Sequence, residues 1–243
     1  MSGTLLGRLV SVQVGLPRIV KGEGDEGNFS DAEWTTGFFK RPVNHRIWLG
    51  TLNLDGDGQA DLENHGGLDK AVNVYPIEHY SYWMQSLSLN GLVPGDFGEN
   101  FTTDALLESE VCIGDIFEVG DSLVQVSQPR QPCWKLSRRW GVKDLALRFQ
   151  DTGRTGWYFR VLREGLVQAN DNIILLDRPH PRWTIAAANL IMHHWTGDKE
   201  TAHDLSNCSE LSSRWRIKLT RRAQTGKVDE TSSRLQGPQA EPR

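Results

Sequence analysis

Short alternating segments separated by turn residues dominate the first 180 residues and limit the folds open to this chain. Residues 7–14 alternate apolar and polar side chains, which is typical of a half-buried strand. Residues 115–119 and 122–127 repeat this strand pattern around Gly120-Asp121, which favours a hairpin turn. Residues 173–176 form a further short apolar run. Frequent turns without a strand–helix repeat predict a mainly β protein, a barrel or a sandwich.

Two short helices are expected within this β-rich region. Residues 77–85 follow Pro76, and proline is well suited to the first turn of a helix. Residues 144–150 begin with Asp144, whose carboxylate suits the N-cap position. The sequence therefore predicts a β protein interrupted by a few short helices.

Turn residues give way to helix formers after residue 180. Three helical segments are predicted there, at residues 184–193, 198–205 and 210–222. We therefore expect a β domain over residues 1–180, a small three-helix unit over residues 181–237 and a disordered tail over residues 238–243.

The apolar and cysteine patterns indicate the compartment. No window holds 18 consecutive apolar residues, so no transmembrane helix is predicted. Residues 1–14 lack the basic start and long apolar run of a signal peptide. Three widely spaced cysteines do not form a disulfide framework. We expect a cytoplasmic protein with reduced thiols and no membrane attachment, and base rates favour a homodimer.

One cysteine stands in a segment built for chemistry, Gln128-Pro-Arg-Gln-Pro-Cys-Trp-Lys135. Two prolines within four residues fix φ and stiffen the chain that presents Cys133. Arg130 and Lys135 lie close enough in sequence to lower the pKa of its thiol. The thiolate is both a nucleophile and a metal ligand, so the segment alone leaves both roles open.

Positive charge concentrates around this cysteine. The net charge of the chain is −4, yet residues 121–163 carry nine basic and three acidic side chains. That local excess favours an anion site. Residues 214–243 are also basic, but they lack aromatic–basic interleaving and the N-terminal half is acidic. These features argue against stable nucleic-acid binding.

Several familiar patterns fail on chemical grounds. The G-x-G-x-x-G match at residues 22–27 contains acidic residues that would repel a phosphate, so we interpret it as an exposed loop. Residues 55–66 lack the turn glycine and the final glutamate of an EF-hand. Cys112 and Cys208 lack basic neighbours and are interpreted as packing residues.

Glycine-linked polar clusters accompany the cysteine segment. Three of them stand in order as His65-Gly-Gly-Leu-Asp-Lys-Ala71, Phe97-Gly-Glu-Asn100 and Gln128-Pro-Arg-Gln-Pro-Cys133. This set resembles the MOSC domain family, most closely its YiiM-like branch of hydroxylaminopurine-resistance proteins. The resemblance covers nearly the whole chain, and the C-terminal helices are similar to the three-helix domain of that branch.

The resemblance implies a MOSC-type β-barrel that binds molybdenum cofactor (molybdopterin), with Cys133 as the metal ligand. It also implies reduction of small N-hydroxylated substrates such as hydroxylamino-purines. Basic side chains suit the cofactor's phosphate, whereas carboxylate and amide groups suit its pterin or a purine. The candidate cofactor contacts are Lys40, His65, Gly66, Gly67, Lys70, Glu99, Asn100, Arg130, Cys133, Lys135 and Arg154.

Protons and electrons for such a reduction need separate sources. His65 is the first candidate proton donor, since an imidazole titrates near neutrality, and Asp115 is the second. No flavin, iron–sulfur or nicotinamide motif is evident, so we expect a separate reductase as the electron donor. The alternative function is a cofactor carrier or sulfur-handling protein in which Cys133 turns over no base analogue.

Overall fold

Twelve strands and eight helices lie within residues 3–21 and 33–237, the part of the chain that the computed structural model describes. The strands are β1 (Thr4–Val14), β2 (Arg18–Val20), β3 (Trp34–Thr36), β4 (Arg41–Pro42), β5 (Ile47–Leu49), β6 (Val72–Pro76), β7 (Phe101–Asp104), β8 (Ile116–Val119), β9 (Ser122–Pro129), β10 (Trp157–Arg163), β11 (Gly165–Val167) and β12 (Asn172–Asp177). The helices are α1 (Leu62–His65), α2 (Glu78–Ser86), α3 (Trp134–Trp140), α4 (Leu145–Thr152), α5 (Ile185–His193), α6 (Lys199–Ser206), α7 (Ser213–Thr225) and α8 (Ser232–Gln236). The predictions for the loop at residues 22–27 and the tail at residues 238–243 lie outside the described residues.

Seven strands close into a barrel, which confirms the predicted mainly β fold. Their order is β12, β8, β9, β10, β6, β7 and β1, and β1 pairs with β12 to close the ring. Every pairing in the ring is antiparallel except that of β6 with β7, which is parallel. The closed ring leaves few free strand edges, and β4 lies outside it on the end of β1.

The local predictions in this region are confirmed. β8 and β9 form a hairpin in which Val119 pairs with Ser122, and Gly120 between them has a φ of +57°. That left-handed conformation favours glycine. The helices predicted at residues 77–85 and 144–150 correspond to α2 and α4, which begin and end within two residues of the predicted bounds.

The C-terminal region contains four helices where three were expected. The additional helix is α8, which lies just before the end of the described chain. The first three helices begin where a side chain accepts a backbone hydrogen bond, from Thr184 for α5, Asp198 for α6 and Ser212 for α7. α7 therefore begins at Ser213, three residues later than predicted, because Ser212 is its cap.

One hydrophobic core joins the barrel to the C-terminal helices. Leu9 and Phe101 from the strands belong to the same buried cluster as Ile191, Trp215 and Leu219 from the helices. Each of these side chains is at most 1% exposed. Because the two parts share this core, the helices are fixed against the barrel rather than tethered beside it.

A second, aromatic cluster supports the short helices beside the barrel. The rings of Trp83 in α2 and Phe149 in α4 stack with their centroids 4.1 Å apart. The indole of Trp83 donates to the hydroxyl of Tyr75 in β6 at 2.6 Å. This packing holds α2 and α4 in place, and α3 joins the cluster through buried Leu136. The start of α3 is therefore fixed relative to β6.

Among the described residues, no helix is long and apolar enough to cross a membrane.

Candidate active site

Cys133 lies at the N-terminal end of α3, directly after the barrel strand β9. The amide of Arg130 donates to the carbonyl of Gly156 at 3.0 Å, so the pairing with the next strand continues past the end of β9. Cys133 has an extended backbone, with φ −126° and ψ 166°, and its side chain is half-buried. The strand on one side and the helix on the other hold the thiol in a defined position.

His65 approaches from the segment that precedes β6. The carboxylate of Asp61 caps α1 by accepting from the amide of Asn64 at 2.9 Å, and the helix ends at His65. Gly67, with a φ of +94°, then turns the chain into a single 3₁₀ turn that carries Lys70. The side chains of His65 and Lys70 consequently line the same cavity as Cys133.

The thiol of Cys133 is unusually acidic. Burial raises its pKa, but the hydrogen bond and charge of His65, the amide of Lys135 and the guanidinium of Arg130 outweigh burial and bring the pKa to about 7. Behind the imidazole, Nδ1 of His65 lies 3.6 Å from Oδ2 of Asp61. The carboxylate of Asp61, the imidazole of His65 and the thiol of Cys133 thus form a series in space. Much of Cys133 is therefore thiolate at neutral pH, the form that binds metals.

Arg130 places a cation in the wall beside this thiol. The residue is 7% exposed, and its Nη2 donates to the carbonyl of Phe97 at 2.7 Å. Its buried Nη1 has no hydrogen-bond partner among the described residues. A buried donor without an acceptor is unfavourable by about 1–3 kcal/mol. An anionic or carbonyl ligand in the cavity would relieve that cost.

Three further predicted residues line the cavity but already have protein partners. The ammonium of Lys40 pairs with the buried carboxylate of Asp57, and burial lowers the pKa of Lys40 despite this partner. The amide of Asn100 donates to the other oxygen of Asp57 at 2.9 Å. Nζ of Lys135 donates to the carbonyl of Thr35 at 3.1 Å. Lys40 and Asn100 therefore hold the wall in shape, and Lys135 remains beside the opening.

Other predicted residues are not brought to the described cavity walls. Glu99 is fully buried and accepts from the amide of Gly95 at 2.6 Å, so its carboxylate shapes its own loop. The guanidinium of Arg154 lies over the ring of Tyr82, 4.0 Å from its centroid. Gly66 uses its amide to close α1, and Gly67 contributes the turn rather than a ligand contact.

Asp115, the second predicted proton donor, also lies away from Cys133. Its carboxylate is fully buried, accepts from the amide of Cys112 at 2.9 Å and forms an ion pair with Arg178 at 2.7 Å. Burial raises the pKa of Asp115, although Arg178 opposes this. Asp115 is thus in a buried ion pair and outside the described walls of both cavities, an environment that favours a structural role. Cys112 and Cys208 are buried free thiols, as predicted.

Two adjacent cavities meet at Cys133. Both are lined by His65, Lys70, Gln131, Cys133 and Tyr158. The first cavity extends among barrel loops, past Lys40, Asn100 and Arg130, and has about 650 Å³ of space including its opening. The second extends toward the C-terminal helices and has about 1480 Å³, again including its opening. Cys133 therefore belongs to the walls of two cavities that have different chemical groups.

Sequence reasoning missed the second cavity. Its walls include Arg214, Lys218 and Arg222 of α7 and Arg234 of α8. Arg234 anchors α8 beside the thiol, because its guanidinium donates to the carbonyl of Pro132. A signal was present, since residues 214, 218 and 222 are spaced four apart and share one helix face. The same pattern is also typical of a solvated helix surface, so the sequence alone does not distinguish a cavity wall from such a surface.

Comparisons with known proteins agree with the motif pattern. Residues 61–174 match the MOSC domain family. The uncharacterized protein YflK of Bacillus subtilis is 42% identical over 214 residues, which are 88% of this chain and 93% of that protein. Protein YiiM of Escherichia coli is 39% identical over 200 residues, 82% of this chain and 89% of that protein.

One further relative is longer, and a solved structure has the same fold. A Gibberella moniliformis protein named Reductase is 36% identical over 182 residues, 72% of this chain but 31% of that protein. The crystal structure of YiiM from Geobacillus stearothermophilus superposes with a TM-score of 0.74 at 34% identity. That match covers 89% of this chain and 99% of the other.

Proposed function

Because this chain belongs to the MOSC domain family, in its YiiM-like branch, we propose that it is an oxidoreductase that holds molybdenum cofactor and reduces N-hydroxylated compounds such as hydroxylamino-purines. MOSC domains are generally associated with binding of this cofactor. The observation that carries the proposal is the acidic thiol of Cys133, which lies where two cavities meet. One cavity is available for a cofactor while the other admits a substrate.

The first cavity has groups that fit the cofactor. Molybdenum accepts soft thiolate ligands, and the pKa of Cys133, about 7, supplies one near neutral pH. The buried Nη1 of Arg130 lacks a partner among the described residues and suits a phosphate or pterin oxygen. Cys133 would hold the metal, while Arg130 and Lys135 would hold the phosphate. When bound, the cofactor supplies two-electron chemistry at molybdenum.

The chain's own residues would position the substrate and supply protons. In the overall reaction, R–NH–OH takes up two electrons and two protons, the N–O bond breaks, and R–NH₂ and water leave. His65, which hydrogen-bonds to the thiol, is the proposed proton donor, and Asp61 behind it would orient the imidazole. We assign no proton transfer to Asp115, which pairs with Arg178 and lies outside the described walls of both cavities.

The electrons are assigned to a separate reductase protein. The Gibberella moniliformis protein named Reductase supports a reductive role, because part of its length is similar to this chain. YflK and YiiM match this chain over 93% and 89% of their own lengths, and we propose a distinct polypeptide as the electron donor.

Elemental analysis combined with an activity assay tests the proposal. Wild type, Cys133→Ser and Cys112→Ser are purified from a cofactor-producing host. Molybdenum per protein is measured, together with reduction of N-hydroxyadenine by a reduced viologen dye. Cys112 is a matched control because it is a buried thiol outside the described walls of both cavities. We expect only Cys133→Ser to lose both molybdenum and activity.

The other outcomes separate the alternatives. Full reductase activity in protein without molybdenum would contradict the proposal. Molybdenum bound through Cys133, with no reduction of any N-hydroxylated compound but onward transfer of the cofactor, would instead identify a carrier.

A further inference from the structure

The described wall of the second cavity carries more cationic than carboxylate side chains. α7 presents Arg214, Lys218 and Arg222 at intervals of four residues, so all three lie on the face that lines the cavity. Like charges at this spacing repel one another. Lys70 faces the same space from the 3₁₀ turn beside His65. With Arg234 of α8, the described wall therefore gathers five cations from three separate parts of the chain.

The acidic residues in the same wall already have partners. Asp61 caps α1 and lies beside His65. Asp229 pairs with Arg221 and lies 3.7 Å from Lys218. Glu230 accepts from the amide of Ser232 at 3.1 Å. Arg214 lies 3.8 Å from the exposed carboxylate of Glu63, which is outside this wall. Among the described residues, only Lys218 of the five cations has a carboxylate of the wall itself as an ion-pair partner.

Lys70 is affected by this positive charge as well as by burial. Burial, together with the nearby charges of Arg214 and Lys218, lowers the pKa of Lys70 to about 8 against the opposing pull of Asp61 and Asp69. Burial and the surrounding arginines also lower the pKa of Lys218. A bound anion would offset this repulsion, because it stabilises the charged form of each nearby cation.

Buried polar atoms without partners mark a second feature of the cavity wall. Nε1 of Trp215 and Nε of Arg222 are donors that lack acceptors among the described residues. Oε1 of Gln128 is an acceptor that lacks a donor there. The three residues are 1%, 3% and 2% exposed, so solvent does not readily satisfy them. A ligand for this cavity therefore carries an anionic group and also a polar ring edge with donor and acceptor atoms.

A nucleoside phosphate has this combination of groups. We propose that the second cavity is the substrate site and that it takes an N-hydroxylated nucleobase as its nucleoside 5′-phosphate. The base lies toward Cys133, and the phosphate lies among Lys70, Arg214 and Lys218. This inference rests on the proposed reductase function and adds its substrate class. It assigns the C-terminal helices a role in recognising the phosphate.

Binding experiments test the phosphate site independently of turnover. Calorimetry on protein from the cofactor-producing host compares adenosine 5′-monophosphate, adenosine and inorganic phosphate. Arg214→Met removes a cation from the cavity, and Arg216→Met removes an exposed cation of the same helix that is not in the described wall. A charge-assisted contact to phosphate predicts at least about a tenfold loss of affinity in Arg214→Met. We expect no change in Arg216→Met.

The pattern across the three ligands decides the outcome. The proposal is supported if adenosine 5′-monophosphate binds more than about tenfold tighter than adenosine, with the difference lost in Arg214→Met. Equal affinities for adenosine and its monophosphate would overturn it. Inorganic phosphate that binds as tightly as the monophosphate would also overturn it, because the site would then recognise a free anion.

Activity measurements separate this inference from the proposed function. The value of kcat/KM is compared for N-hydroxyadenine, its nucleoside and its nucleoside 5′-monophosphate in wild type and Arg214→Met. A preference for the monophosphate that Arg214→Met abolishes supports the inference. Reduction of all three at equal rates leaves the reductase function standing and overturns the substrate class. Reduction of none by molybdenum-loaded protein refutes the function itself.

Discussion

The acidity of Cys133 depends on His65, and the substitution His65→Ala in cofactor-free protein tests that dependence. In the structure, the imidazole is the largest of the influences that lower the thiol pKa against burial. Its removal also separates the thiol from the carboxylate of Asp61, which lies 3.6 Å from the imidazole. We therefore expect the pKa of Cys133 to rise above its wild-type value of about 7.

The size of the effect follows from the thiolate fraction. With a pKa of about 7 the thiol is half ionised at pH 7, whereas at its ordinary value of 9.0 about 1% would be ionised. This ratio alone predicts about a fiftyfold difference in alkylation rate. A thiolate of lower pKa is intrinsically less nucleophilic, which reduces the difference to roughly five- to tenfold. The midpoint of the pH profile is therefore a cleaner readout than the rate at one pH.

Alkylation by iodoacetamide, followed by peptide mass spectrometry from about pH 5 to about pH 10, measures that midpoint for each cysteine separately. Burial raises the pKa of Cys112 to about 11 and also raises that of Cys208, so both react slowly. His45→Ala is the matched control because His45 is exposed and outside both cavity walls. A wild-type midpoint near 9, or one that His65→Ala leaves unchanged, would refute the reasoning.

Two further substitutions test Arg130 in the wall of the first cavity and Asp115 in its buried ion pair. Arg130→Met removes the buried cation beside Cys133, so we expect elemental analysis to show less molybdenum per protein and alkylation to show a higher Cys133 midpoint. Unchanged molybdenum content would count against Arg130 as a cofactor contact. Asp115→Asn leaves Arg178 without its ion pair and should lower the free energy of unfolding in urea by about 1–3 kcal/mol, with activity per folded molecule retained. A stable but inactive Asp115→Asn variant would restore the catalytic interpretation of Asp115.

Local patterns in the sequence predicted local structure well. The hairpin of β8 and β9 depends on two residues between alternating segments, and a cap residue precedes α5. The closure of the barrel was not predictable in this way. β1 pairs with β12 across more than 150 residues, and nothing near Thr4 specifies Leu175 as its partner. Only the resemblance to a family indicated a closed barrel.

In the candidate site, too, features carried by adjacent residues were predictable, whereas contacts between distant residues were not. Stiffness and positive charge around Cys133 were evident from adjacent residues, but His65 precedes it by 68 positions and only the fold brings them together. The environment of Asp115 was also not predictable from its neighbours in sequence. Its sequence neighbours do not reveal that Arg178, 63 residues later, neutralises it in the interior. Arg234 was missed because its helix is short and lies next to the C-terminal tail.

The barrel closes through a pairing between β1 and β12, the first and the last of its strands to be synthesised. β1 is synthesised before the other described strands, yet its partner β12 ends at Asp177, so the seam between them cannot form until Asp177 has been added. The described wall of the first cavity is complete by Tyr158, whereas that of the second requires residues up to Arg234. A nascent chain therefore contains every wall residue of the cavity proposed for the cofactor before it contains those of the cavity proposed for the substrate.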